Sequence, residues 1–133
     1  MTAREALQQA LVGALRGAEA VGGVVTMIHD CPPARAARPY VLVDEPVLVD
    51  WGTKDLAGRE GRVSILAYDL GERPARLRAL AGAIEDAVAD MPRELGGGWR
   101  TASLVLVRSR LLREAQGGWS AASEFRVRML RES

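Results

Sequence analysis

Residues 99–131 read WRTASLVLVRSRLLREAQGGWSAASEFRVRMLR, and this stretch decides the fold. Two long extended runs, Trp99 to Arg113 and Trp119 to Arg131, flank Glu114, Ala115, Gln116, Gly117 and Gly118. A short glycine-bearing connection between two β-rich runs predicts a hairpin. In the second run Phe125, Val127 and Met129 alternate with Glu124, Arg126 and Arg128, so one face is apolar and the other wet. In the first run Val105 and Val107 share one face and Leu104 and Leu106 the other. Apolar residues on both faces predict a central strand. A register with Val105 and Val107 across from Val127 and Phe125 sets Arg108 opposite Glu124. Arg110 and Arg126 are then the less compensated charges of the wet face.

Upstream of the hairpin lies the clearest amphipathic helix. Pro74 stands near its start, where a missing N–H costs nothing. Leu77, Leu80, Ala81, Ile84, Val88 and Met91 follow at helical spacing, with Arg76, Arg78, Glu85, Asp86 and Asp90 on the wet side. Pro92 and the run Gly96, Gly97, Gly98 stop it. A second helix opens the chain from about residue 3 to 17. Thr2 and Glu5 form a capping box, and Leu7, Leu11 and Leu15 make its stripe.

The middle reads as strands. Val24 to Ile28 is short, apolar and β-branched, and predicts a strand. Residues 30–39, with Pro32, Pro33 and Pro39, form a loop. Tyr40 to Val43 is extended, Pro46 interrupts it as an edge proline does, and Val47 to Trp51 continues. Gly52 to Gly61 is polar and glycine-bearing, so Trp51 to Gly61 is expected to be a protruding tip whose residues 54–60 could be deleted without unfolding. Arg62 to Asp69 is the returning strand. The expectation is one α+β domain over residues 1–133, with two main helices on one face of a mixed, largely antiparallel sheet.

Composition narrows function by exclusion. The 133 residues are 48% hydrophobic and 26% charged, with net charge +1, which disfavours a free-standing nucleic-acid binder. Cys31 and His29 are the only residues of their kinds, which removes a disulfide framework and His-pair or multi-cysteine metal sites. Glu5 sits where a signal peptide is basic, Arg16 breaks the apolar run, and no stretch approaches a membrane span, so a soluble chain made in the cytoplasm is expected. Basic charge is uneven. Residues 99–133 carry seven Arg against three Glu, net +4, while residues 1–98 have a net charge of −3. Lys54 is the only lysine.

No constellation carries catalysis. His29, Asp30 and Cys31 are neighbours along the chain, and a nucleophile's base and orienting group must converge in space. The glycine run 96–98 leaves a helix and enters a strand, the reverse of a phosphate loop. Glu85, Asp86 and Asp90 lie on the wet side of a helix. No catalytic residue, metal ligand or cofactor is expected. Trp51 sits beside the polar tip and fits a binding role, while Trp99 and Trp119 fit the core or its rim.

One ordered set is distinctive. Asp50, Trp51, Gly52, Thr53, Lys54 and Asp55 follow a strand that begins at Pro39 and Tyr40. Gly61, Arg62, Val63, Ser64 and Ile65 come next, then the Ala- and Leu-rich helix. An arginine-bearing strand, a glycine turn and Phe125, Arg126, Val127, Arg128, Met129 and Leu130 close the chain. Over nearly its whole length the chain resembles the tail-completion, or tail-terminator, proteins of long-tailed phages and prophages, above all the version in bacterial gene transfer agents. The family often has a His in the strand after the tip, where Gly61 and Arg62 stand here. The resemblance implies a non-enzymatic assembly protein, α/β in fold. It would form a ring, usually a hexamer, at the head-proximal end of a tail tube assembled in the bacterial cytoplasm. Its partners would be its own copies, the tail tube protein and a head–tail connector, with DNA passing unbound through the lumen and no membrane involved. The expected interface residues are Trp51, Gly52, Thr53, Lys54, Asp55, Arg110 and Arg126. The residues alone leave open a monomeric ligand-binding or regulatory module, which mass in solution separates from a ring.

Overall fold

The computed structural model describes residues 1–115 and 117–132. Helix α1 (Ala3–Gly17) starts at the capping box: Glu5 N–H donates to Thr2 Oγ1 at 3.1 Å, and Thr2 N–H to Glu5 Oε2 at 2.8 Å. The bond from the Thr2 backbone holds the Glu5 carboxyl below its ordinary pKa. A four-residue helix, α2 (Glu19–Gly22), follows. The expected strand from Val24 to Ile28 shrinks to β1 (Ile28–His29). Val24 and Val25 N–H both turn back to Val21 O, and Thr26 N–H donates to Pro39 O, so the apolar run is spent on closing a turn.

Strands β2 (Tyr40–Val43) and β3 (Val47–Asp50) lie end to end against one side of β4 (Leu56–Asp69). Pro46 sits in the break between them, as an edge proline should. Helix α3 (Ala75–Ala89) and the short β5 (Glu94–Gly96) precede the long hairpin β6 (Trp99–Arg113) and β7 (Trp119–Glu132). The sheet order is β1-β2-β4-β7-β6-β5, with β3 also on β4. Among the described residues only the β1–β2 pair is parallel. Helices α1 and α3 cover one face, where Leu7, Leu11, Leu15, Leu77, Leu80 and Ile84 meet Val63, Ile65, Val127 and Met129. The fold is the expected α+β arrangement.

Three further expectations about the strands change. First, β4 begins at Leu56 rather than Arg62, so most of the supposed tip is ladder: Gly58 pairs with Leu130 and Glu60 with Arg128. The glycines that suggested a turn instead permit close backbone approach. A Cβ on Gly58 would lie 2.5 Å from Trp51 O, and one on Gly61 would strike Val47 O. Deleting residues 54–60 would therefore remove paired sheet. Second, β6 is an edge strand over most of its length. Its inner side pairs with β7, whereas β5 meets only Trp99 and Arg100.

Third, β6 carries bulges at Ala102 and Val107. The second one switches which side chains share a face. Leu104 and Leu106, not Val105 and Val107, stand opposite Val127 and Phe125, while Arg108 still meets Glu124. Gln116, inside the expected hairpin loop, lies outside the described residues.

Candidate assembly surface

Local alternation places a charged lattice on the sheet face away from the helices. Arg62, Arg126 and Val105 form one cross-strand row, and Ser64, Glu124 and Arg108 the next. Glu124 accepts from Arg62 at 2.7 Å and from Arg108 at 3.0 Å. Arg62 first, with Arg108 behind it, holds the Glu124 carboxyl below the usual carboxylate range. Arg128 bonds Glu60 and lies over the Trp51 ring at 5.3 Å. Among the described residues, Arg126 and Arg110 make no ion pair, and the Arg126 Nε is buried without a hydrogen-bond partner. Both are thus the uncompensated charges that the register argument anticipated.

Beside the lattice is an open cleft of about 310 Å³ between Val47, Val49, Glu60, Arg62, Arg126 and Arg128. The valines are exposed because they share the uncovered face with Arg62 and Glu60, whereas Leu48 between them turns to the core. Sequence reasoning missed this cleft. The signal was present in Gly58 and Gly61, whose spacing admits a neighbouring backbone rather than a turn.

The expected tip residues occupy a compact turn between β3 and β4. Trp51 N–H donates to Gly58 O at 3.0 Å and Thr53 N–H to Leu56 O at 2.8 Å. Thr53 Oγ1 accepts from the Asp55 and Leu56 amides, and Asp50 Oδ1 from Gly52 N–H and Arg59. Thr53, Lys54 and Asp55 are exposed, while Trp51 and Gly52 are half-buried. The turn and Arg126 border one region, but Arg110 lies on β6, across the sheet from β3.

The remaining sequence-flagged groups do not gather at this surface. Trp99 is buried with Arg131 over its ring, and Trp119 donates to Gly71 O beneath Arg113. His29 packs edge-on against Tyr40, and Cys31 is exposed. Glu85 is less solvated than its helix position suggested: it accepts from Ser109 and Ser123 and ties α3 to the hairpin. Among the described residues no cluster of three metal-binding side chains forms, and no helix is long and apolar enough to cross a membrane.

Among the described residues, this side of the molecule presents guanidinium groups, exposed valines and the unpaired outer edges of β3 and β6. The sequence from residue 6 to 130 matches the family model described as tail completion protein gp17, and the chain belongs to that family. Among solved structures it is similar to a chain in the virion of a native gene transfer agent particle. That match has 28% identity and a TM-score of 0.78, and covers 98% of this chain and 99% of the other. The gp17 protein of bacteriophage SPP1 shares the fold at 18% identity and a TM-score of 0.59, covering 94% and 89%. No curated protein matches. The protein is a structural component of a phage-like tail.

Proposed function

We propose that the chain, as one domain over residues 1–133, forms a ring at the head-proximal end of a tail tube. The ring ends tube polymerisation and presents a surface to the head connector. Its partners are its own copies, usually six, with the tail tube protein on one side and a head–tail connector on the other. DNA crosses the lumen without specific binding, the subunit needs no cofactor and performs no catalysis, and assembly takes place in the bacterial cytoplasm. The observation that carries this reading is the near end-to-end match to a subunit of a gene transfer agent virion, within a tail-completion family. A closed ring requires two different, complementary patches on each subunit, and among the described residues the sheet has one open edge along β3 and another along β6 beyond Arg100.

The test is genetic and optical. Particles made without this chain should carry tails of uncontrolled length or tails not joined to heads in negative-stain images, and the gene restored in trans should correct both. Normal, joined tails in its absence would overturn the reading. A mass equal to one chain on tail ends would remove the ring while leaving a tail role.

A further inference from the structure

We propose that the contact between ring neighbours is heterologous sheet addition, in which the outer edge of β6 (residues 103–113) seats on β3 and its turn (residues 47–55) of a second copy. This rests on the ring reading above and names its interface.

The first support is backbone. Among the described residues, no strand pairs with the outer side of β6 beyond Arg100, and none with the outer side of β3. A long unpaired edge is a ready template for another strand. Proteins keep such an edge free with Lys or Pro, a bulge or other charges; residues 103–113 contain neither Lys nor Pro, and carry one bulge, at Val107, and three arginines.

The second support is where apolar surface lies. Ten large hydrophobic side chains are exposed among the described residues, and six of them are on these two edges. On β3 they are Val47 and Val49, 71% and 55% exposed; on β6 they are Val105, Leu106, Val107 and Leu112, each above 40%. Clustering of this kind marks an interface rather than the scattered exposure every surface has.

Charge supplies the third support and identifies the occupant. Residues 103–113 hold Arg108, Arg110 and Arg113 with no acid, net +3. Residues 44–55 hold Asp44, Glu45, Asp50 and Asp55 with one lysine, net −3, with Glu45 and Asp50 also paired to Arg4 and Arg59 of their own subunit. Like edges repel and unlike edges attract, so β6 selects the β3 region of another copy over a second β6. Strand direction agrees. Strand β3 runs antiparallel to β4, β4 to β7 and β7 to β6, so β3 and β6 are antiparallel within one subunit. Rotation about an axis along the strands preserves direction and brings β6 of one copy against β3 of the next in the same antiparallel sense.

The experiment uses the full chain with Cys31→Ser, which removes an exposed thiol. Val49→Cys and Val107→Cys are made singly and together and treated with a short bis-maleimide. The single variants mixed should give a crosslinked dimer, each alone almost none, and the double variant a ladder. Adding Arg110→Glu to the Val107→Cys chain should cut mixed-dimer yield by up to roughly fivefold, and Asp50→Arg on its partner should restore it. Negative-stain imaging of the Cys31→Ser parent reads the ring independently. Rings without mixed dimer or ladder overturn this interface and leave the ring reading standing. Single variants that crosslink to themselves as readily as to each other overturn it too, since that contact is isologous. Absence of both rings and crosslinks overturns both readings, and crosslinking only after tail tube protein is added assigns the edges to the tube instead.

Discussion

The β4–β7 ladder and the outer half of β6 are neighbours in one sheet with opposite fates. Along β7, buried and half-exposed residues alternate from Ala121 to Leu130, and every second side chain enters the helix-covered core. The β6 strand is richer in Val and Leu, yet Val105, Leu106, Val107 and Leu112 remain exposed. Apolar character on both faces thus has two meanings. In β7's neighbour β4 it would mark a central strand, and in β6 it accompanies a strand with one open edge. The difference lies in cover: the helices pack mainly over β4 and β7, Val105 faces away from them, and β5 ends after pairing with two residues of β6.

The sharpest way to break this comparison is one charge in each region. Leu11→Asp places a carboxylate beneath the sheet at a fully buried position and should cost on the order of 4 kcal/mol, seen as a collapsed melting temperature. Val107→Asp, on the free edge, should stay within about 0.5 kcal/mol of the parent and lose self-association instead. Equal melting temperatures would erase the distinction between the two regions.

A smaller loss is expected at Asp69, where β4 ends in the core. Its carboxylate is almost fully buried and takes two bonds from Arg76, at 2.6 and 2.8 Å, which together hold its pKa below the usual range. A lowered folded pKa means that the pair stabilises the fold above the unfolded value of about 4, and that this stability is lost as pH falls through the folded value. Asp69→Asn should cost about 1–3 kcal/mol at pH 7. The variant's melting temperature should also fall less steeply with acid than the parent's; parallel acid profiles would show that Arg76 does not set the acid limb.

Gly61→Ala tests why β3 sits where it does. The added methyl meets Val47 O, so β3 must shift, at a cost of about 1–3 kcal/mol. Amide shifts in NMR spectra should concentrate at residues 47–50 and spare the β6–β7 hairpin. A uniform pattern would mean that β3 is not separable from the core ladder.

The smallest stability effect belongs to the double reversal Arg110→Glu with Arg126→Glu. Neither guanidinium is ion-paired among the described residues, so the melting temperature should move little. Ring formation and tail–head joining should fall. Normal particles with normal DNA delivery would remove this face from function.

Much of this was legible from local pattern. The capping box, the two Leu stripes, the glycine turn after Arg113 and the alternation of β7 each depend on residues within a few positions of one another, and each stands where periodicity puts it. The pairing of Arg108 with Glu124, and with it the shared face of Arg110 and Arg126, followed from hairpin register alone. The turn residues 51–55 were legible as polar and glycine-bearing. The Val47–Val49 cleft and the Arg128–Glu60 pair were not, because β4 was started six residues late.

The amino-acid sequence by itself determined the helices, the hairpin, the family resemblance and the separation of acidic and basic segments, since these are written in composition and short-range periodicity. Only the tertiary structure decided which strand is an edge, where β4 begins and which β6 side chains face the helices. Those depend on hydrogen-bond partners far away in the chain and on a single bulged residue, Val107, which switches the alternation without changing the local pattern.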